Sequence, residues 1–178
     1  MTAEYFVGLL AKMAPSKEAL TSVGFDYRFV EIILKRYRCS KRLVPLKKKY
    51  LERNVLIELL CHYDCSTVMI GNISLESQLS QEGILINVGS VEADQLMINE
   101  KTEEIILVDQ SNFNHVICKC AQDAQSFLEA LLIVCQFLTY KMLEPGRTNN
   151  SSVSSLFLER SIEAAGGKDY YDFYSTML

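Results

Sequence analysis

Only two histidines occur in the 178 residues, His62 and His115, and the short motifs that assemble common active sites are missing. There is no Gly-rich phosphate loop ending in Lys-Ser or Lys-Thr, no H-E-x-x-H and no G-x-S-x-G elbow, so those three chemistries have no support in the sequence. Cys61 stands beside His62, but adjacent helix residues do not face each other. They therefore do not make the thiolate and base that a cysteine nucleophile needs. Glu103 and Glu104 are likewise neighbours and project to opposite faces of a strand, which rules them out as a paired acid and base. Gly166-Gly167 has no helix start after it and reads as a helix cap, not as a phosphate cradle. No catalytic residue is assigned and no cofactor is expected.

Internal repeats and low-complexity tracts are also missing. Met1 to Met13 carries Glu4 and has neither the basic start nor the small-residue cleavage site of a secretory leader. With six cysteines, this points to a reducing cytoplasm with free thiols. The most apolar segment, Ala124 to Leu143, is interrupted by Glu129, Gln136 and Lys141. A spanning helix takes about 20 largely uninterrupted apolar residues, so no membrane association is expected.

What is present is an ordinary globular composition, 49% apolar and 22% charged, in a chain of a size that makes one domain. The pattern predicts an α+β fold: N-terminal helices, an antiparallel or mixed sheet of about four to six strands, and a buried helix over 124–143 covering the sheet. Ala3 to Met13 reads as a helix stopped by Pro15. Asp26 caps a second helix carrying Phe29, Ile32 and Ile33, and a third is expected from about Leu46 to His62. Cys39 to Pro45 reads as a loop, Ser66 to Ile70 as the first strand, and Ser74 to Glu82 as a loop or short helix. Gln95 to Asn99 and Glu104 to Val108 flank a polar turn and predict a hairpin, followed by a strand at Val116 to Ala121 and an N-cap at Asp123. Glu144 to Ser152 reads as a loop, Val153 to Ala165 as a helix closed by Gly166-Gly167, and Tyr170 to Leu178 as an aromatic segment packed back on the core.

The net charge of −4 hides a split. Residues 35–53 hold nine basic side chains against Glu52, or +8, and the remainder holds nine basic and twenty-one acidic ones, or −12. Clustered Lys and Arg can bind phosphates, but no recognition motif accompanies them, so a solvated face is expected and nucleic acid is not. The acidic residues around the hairpin, Glu92, Asp94, Glu100, Glu103, Glu104 and Asp109, suit a basic protein partner or the outer face of a half-exposed sheet. Cys61, His62, Cys65, His115, Cys118 and Cys120 supply enough candidate zinc ligands. On a strand, however, Cys118 and Cys120 point to one face and His115 to the other. Thiols acting as small apolar side chains account for the same residues; zinc binding stays as an alternative.

The central segment also carries a family resemblance. Ile98, Asn99, Lys101, Thr102, Glu104 and Ile105 form an I-N-x-K-T-x-E-I turn between two strands, and Ser126, Phe127 and Leu128 lie in the run D-A-Q-S-F-L-E-A-L. This order of elements, over about a third of the chain, resembles the core of the SUKH superfamily, which includes bacterial toxin-immunity proteins and a fungal cell-wall synthesis regulator. The resemblance implies a single SUKH domain over 1–178 and a non-enzymatic immunity protein that neutralises a cognate toxin by occluding its active surface. Glu92, Asp94, Glu100, Glu103 and Glu104 are the expected contact residues. A regulatory or scaffold interaction protein is the alternative.

Overall fold

The computed structural model describes residues 1–46, 54–144 and 151–178. In chain order these form α1 (Ala3–Lys12), α2 (Lys17–Ser22), α3 (Tyr27–Lys35), β1 (Ser40–Lys41), α4 (Val55–His62), β2 (Tyr63–Asp64), β3 (Met69–Ile70), β4 (Ile73–Glu82), β5 (Leu85–Val91), β6 (Asp94–Asn99), β7 (Ile105–Val108), β8 (Val116–Ala121), α5 (Ala124–Leu143), α6 (Ser151–Ala165) and α7 (Tyr171–Ser175). Strands β3 to β8 make one sheet in chain order, every neighbour antiparallel, and β1 pairs with β2 in a separate ribbon. The class is α+β with N-terminal helices, as the pattern predicts.

The helix starts follow from their caps. The side chains of Thr2, Ser16, Asp26, Asn54 and Asp123 each accept a backbone N–H that would otherwise stay unpaired in the first turn of the helix that follows. The end of α6 is closed by a 6→1 bond from Gly167 N–H to the Ile162 carbonyl, with Gly166 and Gly167 both at positive φ.

One face of the sheet presents Ile86, Leu96, Ile98, Ile105 and Leu107 to a core shared with Phe6, Leu10, Leu56, Leu60, Phe127, Leu131 and Val134. α5 is the one described helix long and apolar enough to cross a membrane, yet Phe127, Leu128, Leu131, Val134 and Phe137 are all buried in this core. The helix needs its apolar faces because α6 runs along it, with Phe137 and Phe157 ring centroids 5.3 Å apart, while Phe173 of α7 packs 6.3 Å from Phe127. The opposite face of the sheet holds a small cluster of Met97, Ile106 and Val108, with Leu85 against it.

Several expectations are corrected. Ser74 to Glu82 is not a loop or helix; it belongs to the ten-residue strand β4. Only Ile73 and Leu75 there are buried; beyond an irregularity after Leu75, Ser80 to Glu82 pair with β5, and Leu79 is the one apolar side chain of that half, so no period-2 alternation marks the strand. The strand expected at Ser66 to Ile70 shrinks to Met69–Ile70, and Ser66 and Thr67 turn. The third helix, as described, begins at Val55 behind the Asn54 cap, whereas Leu46 is non-helical and donates its N–H to the Cys61 carbonyl. Residues 47–53, including Tyr50 and Leu51, lie outside the described residues, as do 145–150 of the expected loop. The Cys39 to Pro45 loop contains β1. On α3, Val30, Ile33 and Leu34 face the core, as does Tyr37 just past its end, whereas Phe29 and Ile32 are exposed.

Candidate functional site

The acidic set is built by two turns of the meander. Val91 pairs with Asp94 across the β5–β6 turn, which leaves Glu92 and Ala93 at its tip. Glu92 is exposed at φ +56 and its N–H reaches the Asn72 carbonyl at 3.4 Å. Asp94 accepts a bond from the Gln110 N–H at 3.4 Å. At the other end of β6, the Asn99 side chain accepts the N–H groups of Lys101 and Thr102, and Glu103 N–H donates to the Asn99 carbonyl at 2.7 Å. This bends the chain so that Glu103 stands exposed at φ +63. Glu100 accepts a bond from Gln81 at 2.8 Å, and Glu104 meets Lys119 at 2.6 Å.

The five residues therefore do not form one cluster on the sheet face. Glu92 and Asp94 lie at one end of β6, and Glu100, Glu103 and Glu104 at the other, separated by a strand about 17–20 Å long at roughly 3.3 Å per residue. Glu92 and Glu103 are the only non-glycine residues at positive φ among those described. Asp109 sits near the Glu92 end; its carboxyl is held below its ordinary value by bonds from Ser111 and, secondarily, by His115, whose Nδ1 is 3.6 Å away.

The zinc candidates are scattered. Cys61 is buried on α4, His62 ends that helix, Cys65 follows β2, Cys118 and Cys120 lie on β8, and His115 is exposed in the loop before β8. Among the described residues no three His, Cys, Asp or Glu side chains are placed to share a metal ion. Cys65 instead meets Cys39, with Sγ atoms 2.8 Å apart. Cys39 is absent from the sequence-derived candidates, because only the β1–β2 pairing brings it there. Burial and the bond with Cys118 push the Cys120 thiol up, and Cys118 is lowered by the same bond.

The described basic residues divide as well. Arg42 is structural: Nε donates to the carbonyls of Leu60 and Tyr63, and Nη2 donates to that of Ser77 at 2.7 Å, tying the β1–β2 ribbon to β4. Beyond it Leu43 and Val44 are fully or largely exposed, and Tyr27, Phe29 and Ile32 expose apolar surface on α3. Periodicity alone does not reveal these exposed apolar residues, since it assigns apolar side chains to the core. A groove of about 640 Å³ between α6 and Gly167 to Tyr171 is lined by Leu158, Ile162, Glu159, Glu163, Lys168 and Tyr171, and includes none of the sequence-derived candidates. No protein-family model, curated protein or solved structure matches the chain.

Proposed function

We propose that this chain is a non-enzymatic protein-binding immunity protein that neutralises a cognate toxin domain by covering its active surface. The observation that carries the reading is the conformation of Glu92 and Glu103. Both hold an exposed carboxylate at positive φ, where an L side chain costs on the order of 1–2 kcal/mol and glycine would not. A charged side chain kept at such a position, twice, at the two ends of one strand supports a use for the charge outside the fold. The span between the turns fits within a standard docking patch of about 800 Å² per partner.

The mechanism is electrostatic steering of a basic toxin surface toward the two acidic turns, followed by burial of the contact, with a few central residues carrying most of the affinity. The resemblance to SUKH proteins supplies the class of partner, and the reading carries a cytoplasmic location, where thiols stay reduced. The test pairs the purified chain with a toxin domain encoded beside its gene. A one-to-one complex and loss of the toxin's activity are expected, and Glu92→Lys with Glu103→Lys lowers the association rate roughly tenfold at low salt and far less at high salt. A toxin that stays fully active under an excess of the wild-type chain sinks the proposal; binding without loss of activity turns it toward a scaffold.

A further inference from the structure

The β1–β2 ribbon carries a second feature that does not depend on the proposed partner. Its register pairs Ser40 with Asp64 and Lys41 with Tyr63, so the next position outward pairs Cys39 with Cys65. Arg42 N–H donates to the His62 carbonyl at 2.8 Å, the bond that flanks a non-hydrogen-bonded 41–63 pair in an antiparallel ladder. Antiparallel pairs alternate, so 41 with 63 is non-hydrogen-bonded, 40 with 64 is hydrogen-bonded, and 39 with 65 is again non-hydrogen-bonded. At such a position opposed Cα atoms approach to about 4.5 Å, within the roughly 4.4–6.8 Å that a disulfide spans. The side chains confirm the approach, since the Cys65 thiol donates to Cys39 Sγ at 2.8 Å. Cys65 is buried and Cys39 is partly exposed, which gives one thiol that a reagent reaches and one that it does not.

We propose that Cys39 and Cys65 are a modification site, a dithiol that low-molecular-weight disulfides such as oxidised glutathione convert to an internal disulfide. The Cys39 thiolate attacks one glutathione sulfur, the glutathione S–S bond breaks, and the first glutathione leaves as a thiolate and takes up a proton. Cys65 then gives up its proton and attacks Cys39 Sγ in the mixed disulfide, expelling the second glutathione. One protein S–S bond forms, two electrons pass to glutathione, and the two cysteine protons end on the two released thiols. The bond locks the loop after α3 to the segment after β2, closing a 27-residue loop, 39 to 65, that contains α4.

The test incubates the reduced full-length chain with excess oxidised glutathione, blocks the remaining thiols with an alkylating agent, and maps cysteines by mass spectrometry of a non-reduced digest. The expected result is a peptide linked through Cys39 and Cys65, with two of the six thiols lost and four still alkylated. Loop closure should raise Tm by roughly 5–10 °C, reversed by dithiothreitol. Cys39→Ser, at the partly exposed position, should abolish both the link and the shift. Alkylation of both residues, arrest at a Cys39–glutathione adduct, pairing of either with another cysteine, or an undiminished shift in Cys39→Ser overturns the proposal.

Discussion

Glu104 and Lys119 meet across the sheet with Oε1 2.6 Å from Nζ. The contact joins the start of β7 to β8, next to Ile106, which pairs with Lys119 in the ladder. Among the described residues it is the one of the five acidic side chains with an ion-pair partner, so Glu104 enters any docking surface with its charge offset.

Exposed pairs of this kind contribute under about 1 kcal/mol. Glu104→Gln is expected to lower Tm by less than about 4 °C at neutral pH. The hydrogen bond to Glu104 raises the Lys119 pKa. A raised ammonium pKa means that the contribution is complete below the unfolded value of about 10.4 and is lost as pH rises through the folded one. Urea unfolding of wild type and Glu104→Gln should therefore differ at pH 7 and converge in stronger alkali; a gap that persists there counts against the pair.

Glycine at either left-handed turn position should separate stability from binding. Glu103→Gly and Glu92→Gly remove the positive-φ strain of the two residues, offset in part by the freedom glycine adds to the unfolded chain, for a net gain of up to about 1 kcal/mol each. The same variants lose a carboxylate at the proposed interface. Denaturant midpoints should rise while association with the toxin slows. Variants that lose stability would show that the side chains hold the turns and that the positive φ stores no net strain.

How far the sequence reveals the fold depends on whether a residue's local chemistry agrees with its tertiary role. Asp123 and Asp26 are legible because a carboxylate before an apolar periodic run does the same thing in any context, and the β6–β7 hairpin is legible because Asn99 and Thr102 define its turn. β4 is not, because Glu76 to Glu82 are partly or fully exposed, and of these only Ser80 to Glu82 pair with β5, beyond an irregularity that follows Leu75. α3 misleads in another way: Phe29 and Ile32 carry an apolar signal that the structure leaves facing outward. For the site, residue types find the acidic turns, but their separation to opposite ends of β6 and the approach of Cys39 to Cys65 require the register.

Gly89 should tolerate no side chain. It sits at the irregularity between β5 and β6, and a Cβ there would lie 2.4 Å from the Ser74 carbonyl oxygen and 3.5 Å from Leu75 Cα. The 2.4 Å approach is to a backbone oxygen, whereas 3.5 Å is an ordinary contact, so relief requires β4 to move away from β5 at Ser74 and give up ladder bonds. Gly89→Ala is expected to lose about 1–3 kcal/mol, the range of overpacked cores. Gly8, where nothing lies within 4 Å of the added methyl, serves as the control: Gly8→Ala in the middle of α1 should stabilise by up to about 1 kcal/mol through helix propensity. Equal midpoints for Gly89→Ala and wild type would show that β4 is not held against β5 at this point.

Alkali should unfold the reduced protein through its buried thiols. Burial raises the Cys135 thiol to about 11 and pushes Cys120 and Tyr174 well above their ordinary values. Each of these groups is neutral when protonated, so a raised folded pKa means that the native state holds a proton which the unfolded chain releases. Stability is then complete below the unfolded thiol value of about 8.5 and falls as pH climbs toward the folded one, by up to about 1.4 kcal/mol per pH unit for each group in its window. For Cys135 alone the loss is on the order of 2–3 kcal/mol between about pH 8.5 and 11. Urea unfolding under reductant across that range should show the decline, and Cys135→Ala, whatever its stability at pH 7, should show a shallower one. A parallel decline in both proteins would mean that the Cys135 thiol ionises as freely in the fold as outside it, and that this part of α5 is not sealed from water.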